Sequence, residues 1–144
     1  MTAETIAIAA DHAGFELKTA LAEELARRGF DVLDLGTDGP ASVDYPDFAD
    51  KLARALAEGR ARRGLLVCGT GIGIAIAANR HRHVRAAVCG GSTEARLARR
   101  HNDANVLALG ARVVGPEVAL DCLATFLDTP FDGGRHQRRV AKMS

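Results

Sequence analysis

No stretch of the 144-residue chain approaches the roughly 20 consecutive apolar residues needed to cross a bilayer, so no membrane span is expected. The amino-terminal Met1-Thr2-Ala3-Glu4 has no basic segment ahead of its short apolar run, and no secretory leader is expected either. Charge of one sign is not in excess. The 19 Lys and Arg against 18 Asp and Glu remove the general attraction that would draw nucleic acid or an anionic membrane surface, so any anion site must be local. Cysteine is scarce: Cys68, Cys89 and Cys122 form no CxxC pair and no metal-ligand spacing, and their odd number suits reduced thiols in the cytoplasm. Repeats and low-complexity tracts are missing, and the length fits one domain over residues 1–144.

What is present is a regular alternation of strand and helix signals. Short apolar runs recur at residues 5–10, 31–35, 65–68, 84–88 and 106–109. Between the first two, residues 14–28 repeat Leu17, Leu21 and Leu25 every four positions, with Glu16, Lys18, Glu23, Arg27 and Arg28 elsewhere on the wheel. Gly29 suits the end of that helix. Further helices are predicted over 48–58, from about Ile72, from Thr93 to about Arg100 with Ser92 as cap, and from Gly115-Pro116 through Leu127. Residues 36–46 read as a loop, 60–63 as a solvated turn and 131–144 as a basic tail segment. The pattern predicts a three-layer α/β/α Rossmann-like sandwich with a five-stranded parallel sheet and right-handed crossovers. Such a fold does not by itself fix a function.

The stretch Leu65 to Asn79 carries the strongest signal for chemistry. Leu65-Leu66-Val67-Cys68 is a buried strand, and Gly69, Gly71 and Gly73 then remove every second side chain from the turn, so that main-chain N–H groups can face a ligand. The Ile and Ala run from Ile72 makes this turn a helix N-terminus, which favours a negative group. Cys68 ends the strand beside that positive end, a setting that suits a sulfur acting as a base. Two common phosphate motifs are excluded. A Walker loop ends in Gly-Lys-Ser/Thr, and this turn has no lysine; a dinucleotide fingerprint needs glycine where Ile74 stands.

Other candidates sit around it. Asp11-His12-Ala13-Gly14 ends the first strand, at the sheet edge where open α/β sheets take ligands. Arg135 and Arg139 are four apart, so on a helix they point the same way, as two cations binding one phosphate must. Together, Asp11-His12-Ala13-Gly14, Asp44-Tyr45-Pro46, Cys68-Gly69-Thr70-Gly71-Ile72-Gly73, Arg100-His101-Asn102-Asp103-Ala104-Asn105 and Gly133-Gly134-Arg135-His136-Gln137-Arg138-Arg139 resemble, in order and over nearly the whole chain, the ribose-5-phosphate isomerase B family. That family includes isomerases of six-carbon sugar phosphates such as allose 6-phosphate or galactose 6-phosphate.

The resemblance implies interconversion of D-ribose 5-phosphate and D-ribulose 5-phosphate through an enediolate, in the non-oxidative pentose phosphate pathway. It implies no metal, no cofactor, and a homodimer or dimer of dimers whose pockets are built from two chains. By resemblance Cys68 is the base that moves a proton between C1 and C2, His101 opens the sugar ring, and Thr70 and Asp11 assist. His12, Arg112, Arg135 and Arg139 would bind phosphate, while Asn102, Tyr45 and the loop Gly69, Thr70, Gly71, Ile72 and Gly73 line the pocket. One branch of the family has glycine in place of the cysteine and a glutamate slightly further on, where this chain has Ile74; the chain resembles the cysteine type.

Each residue also has a structural reading. Cys68 could be a packing residue, Asp11 a cap for the first helix, His101 a dipole-stabilising helix end, and the tail arginines a solvated face. Arg138 is expected to be solvated. His81 and His83 look like a metal pair but fall in a turn with no third ligand; Cys89 could approach the site, and Cys122 belongs to the core. The competing functional class is a non-catalytic module binding a phosphate ligand, which would use the glycine loop and the arginines without needing both Cys68 and His101. A receiver-type signalling domain lacks its acidic cluster after the first strand and its late lysine.

Overall fold

In a computed structural model of the chain, which describes residues 3–144, five strands pair in the order β2-β1-β3-β5-β4, all parallel. They are β1 (Thr5–Ala10), β2 (Asp31–Asp34), β3 (Arg63–Cys68), β4 (Ala86–Val88) and β5 (Val106–Gly110). The helices are α1 (Phe15–Arg27), α2 (Tyr45–Ala57), α3 (Ile72–Asn79), α4 (Ser92–Asn102), α5 (Pro116–Asp128) and α6 (Arg135–Met143). Met1 and Thr2, part of the stretch read for a leader, lie outside the described residues. No helix among the described residues is long and apolar enough to cross a membrane.

Side chains alternate across each strand, so the two faces of the sheet bury different sets. On one face Ile6, Ile8, Leu65, Val67, Leu107 and Leu109 meet Leu21 and Leu25 of α1, Ala95 and Ala98 of α4, and Leu123 and Phe126 of α5. On the other, Ala7, Ala9, Leu66 and Ala108 meet Leu52 and Ala53 of α2 and Ile74, Ala75 and Ala78 of α3. This is the three-layer α/β/α architecture the sequence pattern predicts. The second face is built largely of alanine, which lets the short α3 lie close against the sheet.

Several boundaries differ from the sequence reading, for identifiable reasons. Helix α2 begins at Tyr45, not Phe48, because Pro46 falls in its first turn, where a missing N–H costs nothing and the fixed φ is already helical. Ser92 is the first residue of α4 and makes no side-chain cap; Glu94 Oε1 instead accepts the Gly90 N–H at 2.8 Å. The same helix runs on to Asn102, ended by Asp103 at φ 46°. Strand β4 holds only three residues and begins at Ala86, because the Arg85 N–H before it goes to the Asn105 side chain; the Asn79 side chain takes both main-chain groups of Ala86 itself. Arg63 belongs to β3, pairs with Glu4 at 2.7 Å and donates to the Leu127 carbonyl, so the basic stretch before β3 is not all solvated. The tail segment forms α6, which lies against α4.

Where β1 passes into α1, the chain crosses the end of β3 at close range. A Cβ added at Gly14 would sit 2.5 Å from the Val67 carbonyl oxygen. Gly14→Ala is expected to lower stability by about 1–3 kcal/mol, read by chemical denaturation; an unchanged midpoint would show that the crossing is not tight.

Candidate active site

The sheet order makes β1 and β3 neighbours from which the chain departs in opposite directions, β1 toward β2 and β3 toward the β5 side. At such a divergence the connecting loops part and leave a crevice beyond the carboxyl ends of the strands. Ala10 of β1 is in register with Val67 of β3, and the Asp11 N–H donates to the Val67 carbonyl at 3.2 Å. Asp11 and Cys68 are therefore side by side at the mouth of the crevice.

The turn after β3 is shaped around the sulfur. Gly71 adopts φ 79°, a left-handed conformation that a side chain would strain, and its N–H points to Cys68 Sγ at 3.1 Å. The Ile72 N–H donates to Thr70 Oγ1 at 3.1 Å. That leaves Gly73 and Ile74 to carry the orphan N–H groups of the α3 N-terminus, where the helix dipole adds partial positive charge. Cys68 itself is 4% exposed.

Neighbouring elements bring further candidates to this edge. The Arg112 N–H donates to the Gly69 carbonyl at 2.9 Å, and its Nη1 lies 3.3 Å from where a Gly69 Cβ would be. The guanidinium therefore lies over the loop. Tyr45, at the start of α2, packs its ring against Gly73. Asp11 Oδ1 accepts the Gly14 N–H at 3.1 Å, so the capping role considered for Asp11 is realised, at a 3₁₀ turn over His12–Gly14. His12 Nδ1 accepts the Val43 N–H at 3.2 Å. That bond requires a lone pair on Nδ1, which places the ring proton on Nε2 and leaves Nε2–H as a donor. The segment bearing Val43 is stitched to the end of β1 by Ala10 N–H to Gly36 O and Thr37 N–H to Ala10 O, both 2.7 Å.

The second group of expected site residues lies elsewhere. Helix α4 returns the chain from the carboxyl end of β4 to the amino end of β5, so His101 and Asn102 sit at the sheet's amino edge. Cys68 is paired with Gly110 and Gly64 with Val106, so the two edges are about 13 Å apart along β3 at about 3.3 Å per residue. Within one chain, His101 and Cys68 do not share a pocket. Arg135 and Arg139 lie on α6, exposed, on the same side of the sheet as His101.

Two contacts at this second cluster have no counterpart in the sequence reading. The His101 ring stacks on His136, with centroids 4.4 Å apart and planes 12° from parallel. Asp132 joins through Arg100, whose Nε lies 3.1 Å from the carboxylate. His136 stands between the two arginines of a segment already singled out, and that was the one available signal. Partial burial, then the positive field of His101, Arg135 and Arg139, holds the His136 imidazole below its ordinary range.

The remaining candidates have structural employment. His81 Nε2 meets Asp50 Oδ1 at 2.9 Å, and His83 Nε2 donates to the Ala53 carbonyl at 2.7 Å, so both latch the α3–β4 turn onto α2. Burial pushes the Cys89 thiol up to about 12 and raises that of Cys122, which leaves neither as a thiolate near neutral pH. Both belong to the core face that packs α4 and α5.

The sequence profile described as Ribose/Galactose Isomerase matches residues 6–143. Ribose-5-phosphate isomerase B of Escherichia coli K12 is 47% identical over 135 residues, covering 94% of this chain and 91% of that protein. D-erythrulose-4-phosphate isomerase of Pectobacterium atrosepticum is 43% identical over 140 residues, covering 96% and 92%. Among solved structures, ribose-5-phosphate isomerase B of Clostridium thermocellum aligns with a TM-score of 0.95 at 53% identity, over 96% of this chain and 94% of that one. The Thermotoga maritima ribose 5-phosphate isomerase aligns equally well at 51% identity, over 97% of both.

The histidine geometry has a direct check. In ¹⁵N NMR spectra, the neutral His12 ring is expected with its hydrogen on Nε2; hydrogen on Nδ1 would contradict the bond from Val43.

Proposed function

The chain belongs to the ribose/galactose isomerase family, and from that membership we propose that it interconverts D-ribose 5-phosphate and D-ribulose 5-phosphate with Cys68 as the base. The observation that carries this reading is the β1–β3 register, which sets Asp11 beside a sulfur that already receives a main-chain N–H from a glycine-rich helix N-terminus. Cys68 takes the proton from C2 of the open-chain aldose, the electron pair moves onto the C1 carbonyl oxygen, and an enediolate forms. The hydroxyl proton then passes from O2 to O1, and the thiol returns its proton to C1 as the electron pair on O2 forms the C2 carbonyl of the ketose. The charge that grows on oxygen is met by the helix-end N–H groups of Gly73 and Ile74, fixed donors of the kind that stabilise a transition state more than a bound substrate. The Gly71 N–H is directed to the sulfur and the Ile72 N–H to Thr70, so these two serve the base and the loop instead.

A complete pocket then requires a second chain. Opposite sheet edges hold the Cys68 loop and the His101 cluster, so a symmetric dimer that faces one chain's loop with the other's α4 and α6 unites them. Helix α3 supports such pairing, since it is apolar on nearly all sides and leaves Ile72 and Ile76 more than half exposed at 53% and 56%. In that arrangement His101 opens the ring of the incoming sugar, Asn102 contacts its hydroxyls, and Arg135 and Arg139 hold the phosphate with His12 Nε2–H and Arg112 from the loop side. A five-carbon substrate fits this division of labour better than the four-carbon substrate named for one relative. With its 4-oxygen phosphorylated, a four-carbon sugar cannot close a five-membered ring and gives His101 nothing to open.

In deuterated water, Cys68→Ala is expected to slow exchange of the substrate C2 hydrogen by about 10²–10⁴-fold while a sugar-phosphate analogue still binds. Exchange near the unaltered rate would mean that another group is the base.

A further inference from the structure

The α4–α6 cluster has a chemistry that isomerisation does not use. His101 comes from α4, His136 from α6, and Asp132 from the connection between α5 and α6; one ligand atom of each lies within 4.8 Å of the others. The connection is held to α4 by the Asp132 N–H donating to the Arg100 carbonyl at 3.0 Å. We propose that His101, Asp132 and His136 form a binding site for a transition-metal dication of the zinc class.

Two imidazoles and one carboxylate are the donors that select Zn²⁺, Ni²⁺ or Cu²⁺ over Mg²⁺ and Ca²⁺, which prefer oxygen alone. Three protein ligands with water in the fourth place satisfy a tetrahedral ion. Ligand atoms held about 2.0–2.2 Å from such an ion lie roughly 3.3–3.6 Å apart, so the two imidazoles, now stacked with planes 12° from parallel, must turn out of the stack for both lone pairs to face one ion. His101 and His136 are half-buried and Asp132 is exposed, so those rotations have room. The surrounding cations set the strength. Arg100 shares the Asp132 carboxylate, and Arg135 and Arg139 flank His136 on the same helix, so binding is weaker than at a dedicated structural zinc site.

The site stands independently of the proposed reaction; only its consequence rests on that reading. A metal on His101 removes the imidazole from ring opening, so zinc is an inhibitor that a chelator lifts, not a cofactor.

The test is calorimetric titration of the full chain, stripped with chelator, with ZnCl₂, paralleled by CoCl₂ titration read from the visible d–d bands. One zinc per chain is expected, with a Kd on the order of 10 µM. His136→Ala and Asp132→Asn should each weaken it at least about tenfold with circular dichroism unchanged, and Cys68→Ala should not alter it. The proposal is overturned if zinc fails to saturate at millimolar concentration, or if uptake survives His136→Ala and is lost in Cys68→Ala, since the thiol would then be the ligand. An isomerase assay separates the two readings. Zinc inhibition that vanishes in His136→Ala supports the site and the role of His101 together. Site-dependent binding without inhibition leaves the metal site standing and overturns only the catalytic role given to His101.

Discussion

The parallel pairing of β1 with β3 is the constraint on which the rest depends. It forces two residues distant in sequence, Asp11 and Cys68, to the same point on the sheet edge, where both side chains are largely buried, at 6% and 4% exposure. The main-chain bond from Asp11 to Val67 leaves no freedom of register: a slip by one residue would turn every inward side chain to the opposite face. The glycines serve this junction. Gly14 lets the chain leave β1 across the end of β3, and Gly71 turns its N–H toward the sulfur. The site is therefore largely main chain, with few side chains to reorganise during reaction.

The direction of the helices has an equally firm consequence. In an all-parallel sheet each connecting helix must run back, so whatever ends a helix lies at the edge opposite whatever ends a strand. Cys68 ends a strand and His101 lies in the last turn of a helix. Chemistry that needs both draws on two molecules, and the apolar outer face of α3 gives two molecules a reason to associate. The residues proposed for phosphate are divided in the same way, with Arg112 and His12 at one edge and Arg135 and Arg139 at the other.

Much of this was legible in the sequence. Strand periodicity, the alternation with helices and the glycine-rich turn after Cys68 follow from local rules, and the sheet and layers agree with them. The boundaries that moved are those where one residue carried two signals. Pro46 reads as a loop residue and as a first-turn helix residue, and Ser92 reads as a cap until Glu94 takes the free N–H. The Asn105 bond that shortens β4 and the ion pair of Arg63 with Glu4 join residues far apart in the chain, which no local pattern reveals. The stack of His136 on His101 is of this kind too. Seeing the candidate residues in one chain also conceals that they occupy two edges, because a motif list carries no direction.

The central claim is that the sulfur of one chain works with the imidazole of another, and subunit complementation tests it most directly. Cys68→Ala and His101→Asn homodimers, each inactive, are mixed under conditions that exchange subunits. A composite site then gives heterodimers with one intact and one doubly altered pocket, and activity should recover to about a quarter of the unaltered level at equal mixing. Exchanged heterodimers that stay inactive would contradict the claim, because pockets built within single chains can never be repaired in this way.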